Sequence, residues 1–485
     1  MRLKEIYHSK EEVIKEGLTY DDVLLIPQLS TVKTRKEVDL SSRITKKLGF
    51  KLPIISANMD SVTEANMAIA MARCGGLGIV HRYLPIENQV KEILKVKRSE
   101  GLIVENPYCL GEDVILRDAK VLMKENNVSS VLIIDENRKL KGIITQRDVW
   151  FEENLDKTLK EIMTKDLITA EPGIKLEEAK EFFKHHKIEK LPIVDKKGIL
   201  QGLITSKDLN KRMQYPNATK DSKGRLIVGG AIGVVGDYLE RTEALLEAGT
   251  DVIVVDIAHG HSILEIDVVK KLRKEFGDIQ IVGGNVATYE GAVALVNAGV
   301  DCVKVGIGPG ATCITRKVTG SGVPQLTAVF ECSKITEEND IPIIADGGIK
   351  NSGDIVKALA AGASSVMVGN LFGGTDESPG QVITKDGRKF KVYRGMASFG
   401  ANHGRRQLET KKEDVAINDV VPEGVEAYVP YRGSVYDILY QLSGGIKSGL
   451  SYNGSNSIEE LKIKAKFTKI SPAGFQESGV HDVKV

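Results

Sequence analysis

The chain has 485 residues, 42% of them hydrophobic, which is enough for roughly two to four domains with buried cores. Its 67 basic and 66 acidic residues leave a formal net charge of +1, so nothing in the charge balance points to nucleic acid or to an acidic tail. Five cysteines form no CxxC pair, which argues against a disulfide framework and against a zinc site. The opening MRLKEIYHSKEEVIKEG lacks the apolar run of a signal peptide, and no stretch approaches the roughly 18 apolar residues of a membrane span. The expectation is a cytoplasmic protein that binds neither nucleic acid nor membrane.

Along the chain, short β-branched runs are each followed by a helical pattern. LPIISA (52–57) and GLGIV (76–80) come first. A repeat then interrupts the rhythm. SSVLIIDENRKLKGIITQRDV (129–149) matches EKLPIVDKKGILQGLITSKDL (189–209) at a spacing of 60 residues, and DAKVLMKENNV (118–128) matches EAKEFFKHHKI (178–188). Each copy reads helix, strand, turn, strand, then T-x-x-D opening a helix. A period this long indicates a duplicated supersecondary unit packed as a pair. The T-x-x-D element has two readings: Thr145 and Thr205 cap their helices, or threonine and aspartate hold a ribose while backbone amides face a phosphate.

After the repeat the rhythm resumes with RLIVGGAI (225–232), DVIVVD (251–256), IQIVGG (279–284), DCVKVG (301–306), IPIIAD (341–346) and SSVMVG (364–369). Nearly continuous apolar strands alternating with helices argue for a buried parallel sheet. Eight such units predict an α/β protein with a (β/α)8 TIM barrel. An open doubly wound sheet is the alternative, but no G-x-G-x-x-G follows a first strand.

Polar and glycine residues gather just after these strands, where a barrel builds its active site. The sixth such loop, GIGPGATCITR (306–316), places Cys313 on a glycine-rich segment that lets a ligand approach backbone closely. Cys313 is therefore a candidate nucleophile, against the plainer reading of a small buried hydrophobe. The loop can also cradle a phosphate or chelate a monovalent cation. Asp346, at the seventh strand end, can accept bonds from a ribose diol or cap a turn. Asp256, at the fourth, can hold a second ribose. His259 and His261 lack a third ligand at sensible spacing for a metal.

These stretches carry a resemblance. LTYDDVLLIP (18–27), SANMDSVTE (56–64), GGLGIVHR (75–82), GGNVAT (283–288), KVGIGPGATCITR (304–316), IADGGI (344–349), YRGMAS (393–398), VPEGVEAYVPYRG (421–433) and SPAGFQESGVHDV (471–483) are similar to motifs of the inosine-5′-monophosphate (IMP) dehydrogenases. The repeat resembles a tandem pair of cystathionine-β-synthase-type (CBS) domains. The resemblance implies a barrel in two parts, residues 1–99 and 214–485. The second part carries a flap at about 399–420 and a C-terminal tail. The CBS pair occupies 100–213, dividing at about 160/161.

It also implies the chemistry: NAD-dependent oxidation of IMP to xanthosine monophosphate, in guanine nucleotide biosynthesis, through a covalent thioimidate on Cys313. By the same resemblance, Thr315, Glu423 and Arg406 join Cys313 as catalytic residues. Asp346 holds the IMP ribose; Gly348, Gly369, Asn370 and Tyr393 surround its phosphate; Gly395, Met396 and Glu423 meet the base. Asp256, Asn285, Gly306 and Gly308 face NAD. Gly308, Gly310 and Cys313 give carbonyls to a potassium ion, which Glu477, Ser478 and Gly479 of a neighbouring subunit complete. That sharing implies a homotetramer. The CBS pair implies a purine nucleotide.

Two departures from the family pattern stand out. Ala311 replaces the usual serine two residues before the cysteine. The expected Arg-Tyr or Arg-Phe flap pair is missing: FGANHGRRQLETKKEDVAINDV (399–420) has Arg405 and Arg406 with no aromatic residue after either. Arg406 is the candidate water-activating base, and Thr315 with Glu423 matches a second route to the same end. The alternative reading is the sister enzyme, an NADPH-dependent GMP reductase, which needs no flap arginine. Against it stand Phe399 in place of that family's glutamate, the ESG tail and the CBS insertion. A third reading is a catalytically inactive nucleotide sensor.

Overall fold

The computed structural model describes residues 16–100, 104, 106–126, 128–401 and 421–480. Arg405 and Arg406, and most of the expected flap, lie outside these residues. The chain divides into two compact units, one of Met1–Lys97, Asn217–Asp221 and Leu226–Val485, the other of Arg98–Pro216 and Ser222–Arg225.

The larger unit is built on a closed barrel of eight parallel strands. They are β1 (Ile54–Ser56), β2 (Leu77–Val80), β3 (Gly229–Ile232), β4 (Val252–Val255), β5 (Ile281–Val286), β6 (Cys302–Val305), β7 (Ile343–Asp346) and β8 (Ser365–Val368). Seven fall within runs picked out from the sequence, β5 runs two residues past the end of IQIVGG (279–284) to take in Asn285 and Val286, and closure excludes the open doubly wound sheet. The strands are short and buried on both faces. One face fills the barrel interior with Ile55, Leu77, Ile79, Val252, Val254, Val282, Cys302, Ile344 and Met367, as a packed barrel core requires. The other face joins a larger core under the surrounding helices.

Helix α1 (Ala65–Arg73) follows β1 and α2 (Ile86–Ser99) follows β2. Then α3 (Tyr238–Glu247), α4 (Ile263–Phe276), α5 (Tyr289–Ala298), α6 (Gln325–Asn339) and α7 (Ser352–Ala360) follow β3 to β7, and α8 (Val435–Tyr452) completes the round. Between β8 and α8 a three-stranded antiparallel sheet, Ile383–Lys385, Arg388–Arg394 and Glu426–Pro430, brings Tyr393 and Arg394 to one end of the barrel. Near the two chain ends, Val23–Leu25 pairs with Phe467–Lys469.

The smaller unit carries the repeat. Its first copy is a helix (Leu116–Glu125), a hairpin (Ser130–Ile134 with Leu140–Thr145) and a helix (Gln146–Phe151). The second is Leu176–His186, Lys190–Val194 with Leu200–Thr205, and Ser206–Gln214. Each copy has its own apolar core. A third core, around Leu132, Ile143, Leu200 and Leu203, joins the two. At the start of the helix that follows Thr145, the Asp148 carboxylate accepts from Thr145 N at 2.6 Å and from its hydroxyl at 2.8 Å. The capping arrangement is thus formed in the first copy.

Candidate active site

A cavity of about 500 Å³ opens among the loops that follow the barrel strands. Its lining includes Asp256, Asn285, Gly306, Gly308, Gly310, Cys313, Thr315, Asp346, Tyr393, Gly395, Met396 and Glu423. The structure thus gathers residues from six separate sequence motifs around one space. Gly348, Gly369 and Asn370 do not line it. Gly348 adjoins the lining residue Gly347 and lies close to the Tyr20 ring and Pro309, and Gly369 lies beside Tyr393. Asn370 opens the short helix Asn370–Gly373. Glu477 ends the helix Pro472–Glu477, and with Ser478 and Gly479 it is exposed, away from the lining.

The cysteine loop is held from two sides. Arg316 donates to the carbonyls of Ile307 and Val323. Gln325 donates to Val305 O at 2.9 Å and to Asp346 O at 3.1 Å, which ties the sixth strand end to the seventh. Gly308 has φ +87°, and a Cβ there would stand 2.6 Å from Arg316 Cγ. Only glycine fits both the backbone and the space. Across the loop, Ile314 N donates to Glu423 O at 2.8 Å and Val425 N to Thr312 O at 3.0 Å. That bridge sets Glu423 beside the cysteine although the residues between them in sequence include the whole flap.

Cys313 is partly exposed, and its Sγ–H donates to Thr315 Oγ1 at 3.1 Å. The other cysteines differ. Burial raises the thiol of Cys332 to about 12 and that of Cys74 to about 11, and also raises those of Cys302 and Cys109. Those four are held as thiols. Of the five cysteines, Cys313 alone both lines the cavity and has a hydroxyl partner.

Sequence reasoning missed the group at the centre of the site. Lys304, on β6, is 2% exposed. Its ammonium donates to Asp346 Oδ2 at 3.0 Å and to Asn285 Oδ1, and lies 4.0 Å from Asp256 Oδ1. Burial works against its charge, but the Asp346 and Asp256 carboxylates more than offset this and raise its pKa. One cation therefore links the two carboxylates singled out as ribose holders. Asn285 Nδ2 completes the cluster, donating to Asp346 Oδ2 at 2.9 Å and to Gly306 O at 2.7 Å. The signal was a lysine inside the otherwise apolar strand CVKV (302–305). Arg82, 3.6 Å from Asp256, was missed as well. So was Tyr83, whose hydroxyl donates to Met396 O at 2.8 Å. The rings of His259 and His261 meet edge to face, with centroids 6.4 Å apart and planes 64° apart, and among the described residues no group of three or more His, Cys, Asp or Glu could hold a metal ion.

The chemistry this arrangement offers is that of a soft nucleophile beside carboxylates suited to sugar hydroxyls. Comparison with known proteins agrees. The profile of the IMP dehydrogenase / GMP reductase domain matches residues 17–481. The inosine-5′-monophosphate dehydrogenase of Nitrosopumilus maritimus is 55% identical over 97% of this chain and 99% of its own. That of Aquifex aeolicus is 53% identical over 98% and 97%. Among solved structures, a variant GMP reductase of Trypanosoma brucei bound to guanosine 5′-monophosphate superposes with a TM-score of 0.92. It is 42% identical and covers 98% of this chain and 100% of that one. That match corrects one expectation: a GMP reductase can match this chain across its inserted unit too, so the insertion does not speak against a reductase. With the fold, the gathered motifs and these relatives in agreement, the chain belongs to the IMP dehydrogenase / GMP reductase family.

Proposed function

We propose that this enzyme oxidises IMP to xanthosine monophosphate with NAD. The observation that carries the reading is the seating of Cys313, against Thr315 and in one cavity with the Lys304–Asp346–Asn285 cluster, in a chain whose curated relatives at 55% and 53% identity are IMP dehydrogenases. Cys313 sulfur adds to the electron-poor C2 of the purine and gives up its proton. Asp256, Asn285, Gly306 and Gly308 would hold NAD, which when bound would supply the acceptor for the hydride lost from C2. Water attacks the resulting thioimidate, breaks the S–C2 bond and frees the product. Thr315 and Glu423 flank Cys313 and are assigned to orient that water. Asp346 takes the IMP ribose diol; Asp256 takes the dinucleotide ribose. Gly395 and Met396 present backbone to the base. Gly348, Gly369 and Asn370, with Tyr393, surround the phosphate. Gly369 supports this, since a Cβ there would stand 2.7 Å from Tyr393 Oη. The residues fit NAD because a glycine loop, Gly306 to Gly310, leaves backbone open beside Asp256 in a cavity of sufficient size.

The carbonyls of Gly308, Gly310 and Cys313 suit potassium, a hard cation that takes oxygen ligands. Glu477, Ser478 and Gly479 would complete that shell from a neighbouring subunit of a homotetramer. The repeat unit is assigned a purine nucleotide, as a CBS pair at residues 100–213. A T. brucei GMP reductase structure of 38% identity contains guanosine 5′-triphosphate, which supports a nucleotide in the family without locating it here. Among the described residues no helix is long and apolar enough to cross a membrane.

Reductive deamination of GMP is the second reading, favoured by the match to the T. brucei enzyme. Two assays separate them, both following the near-ultraviolet absorbance of reduced nicotinamide with potassium present. Protein with IMP and NAD is expected to show a rise that Cys313→Ala abolishes. A fall with GMP and NADPH, and silence in the first assay, makes it a reductase.

A further inference from the structure

Glu265, in the first turn of α4, is fully buried in a place where no charge is expected. Its Oε1 accepts from Gly284 N at 2.6 Å. Among the described residues its Oε2 has no hydrogen-bond partner. The carboxyl is wedged between two backbone segments. A Cβ at Gly260 would stand 2.5 Å from Oε2, and one at Gly283 would stand 2.9 Å from Oε1. Both segments therefore need glycine to admit it.

The segments it touches are the ones that matter. Gly260 belongs to the loop that follows Asp256, and Gly284 precedes Asn285. They are stitched together by Gly260 N donating to Asn285 O at 2.7 Å and Asn285 N to Ile257 O at 3.2 Å. Asn285 in turn reaches Asp346 and Lys304. An unbroken set of contacts runs from Glu265 to the groups proposed for both riboses.

We infer that Glu265 is a positioning residue, which seats the Asp256 loop and Asn285 for nucleotide and dinucleotide together. The inference rests on the dehydrogenase reading. Glu265 touches neither ligand and acts through Gly260, Gly284 and Asn285. Its carboxyl is raised to about 8, first by burial and then by the Asp256 charge, against Gly284 N–H and Lys304. At neutral pH it is therefore mostly uncharged. Lys304 from β6 and Asp256 just past β4 are the charged groups that bear on it. When it ionises, a second negative charge appears behind Asp256.

The test compares wild type, Glu265→Gln and Glu265→Leu by kcat and KM for IMP and NAD across the alkaline range, with unfolding midpoints measured beside them. Glutamine keeps a neutral acceptor for Gly284 N. It is expected within about threefold of wild type at neutral pH, without the decline in kcat/KM that is expected of wild type above about pH 8. Leucine removes the acceptor, and kcat/KM per folded enzyme is expected to fall roughly 10- to 100-fold. If leucine matches wild type per folded enzyme, or glutamine follows the wild-type pH profile, the assignment is overturned. Should the leucine variant not fold, the glutamine profile decides alone. Wild-type turnover is the control: if wild type is silent with IMP and NAD, the activity reading itself falls, and this one with it.

Discussion

At the scale of single residues, the site turns on one buried ammonium. Lys304 faces Asp346 and Asp256, which keep some exposure at side-chain values of 23% and 17%. Replacing it by methionine leaves the two carboxylates without their shared cation. Breaking a buried pair from one side costs about 3 kcal/mol. Lys304→Met is expected to lower the denaturant midpoint accordingly and to raise KM for IMP at least tenfold, as Asp346 loses its orienting partner. An unchanged KM would separate Lys304 from nucleotide binding. Glu265 gives a stability prediction of its own. Its folded pKa, about 8, lies above the unfolded value of 4.5. Its contribution is fully present below about pH 4.5 and is lost as pH rises through about 8. The unfolding midpoint of wild type, relative to Glu265→Gln, should therefore fall between those limits. The sequence made Cys313, Asp346 and Asp256 legible, because each sits at a strand end or in the loop after it, where a barrel keeps its chemistry. Lys304 sits inside a strand, and a strand pattern cannot say that one inward position carries a charge. Glu265 was less legible still, since an acidic residue in a first helical turn ordinarily needs no more than the helix dipole to explain it.

At the scale of elements, the eight strands could be read because a parallel barrel buries both faces and so demands unbroken apolar runs. The order of closure follows from chain order alone. The pairing of the cysteine loop with Glu423–Val425 could not be read, because it is made by two backbone hydrogen bonds between distant segments with no side-chain signature. The loop itself offers an internal control. Gly308 and Gly320 both have positive φ, +87° and +72°. A Cβ at Gly308 meets the Arg316 side chain at 2.6 Å, whereas one at Gly320 meets nothing within 4 Å. Gly320→Ala should therefore cost about 1 kcal/mol of local strain and little activity. Gly308→Ala must also displace the side chain that holds the loop. A shift of the loop by an ångström costs about a hundredfold in rate, so kcat/KM should fall by that order while Gly320→Ala stays within a few fold. Equal losses in the two variants would mean that strain, not the Arg316 brace, sets the loop.

At the scale of the whole molecule, the proposed cation shell cannot be completed by one chain as folded here. Gly308, Gly310 and Cys313 line the cavity, while Glu477, Ser478 and Gly479 sit on an exposed helix end outside the lining. If the tail serves a neighbour, every contact is head-to-tail, and a ring closes with each subunit giving one tail and receiving one. That geometry makes a sharp prediction. Cys313→Ala removes the nucleophile but leaves a sound tail. Glu477→Ala removes the tail ligand but leaves a sound nucleophile, and is expected to lose roughly tenfold or more of potassium-dependent activity. Co-expressed in equal amounts, the two form mixed rings. A subunit has the sound cysteine in half of cases, and its donor has the sound tail in half, so about a quarter of sites are restored in a closed ring. Turnover of the mixture should approach about a quarter of wild type, above either variant alone, and the gain should vanish when potassium is withheld. A tail that served its own chain would restore nothing, since no single chain would then carry both sound parts. Activity of the mixture equal to the average of the two variants would therefore place the tail in cis and remove the reason to expect a tetramer.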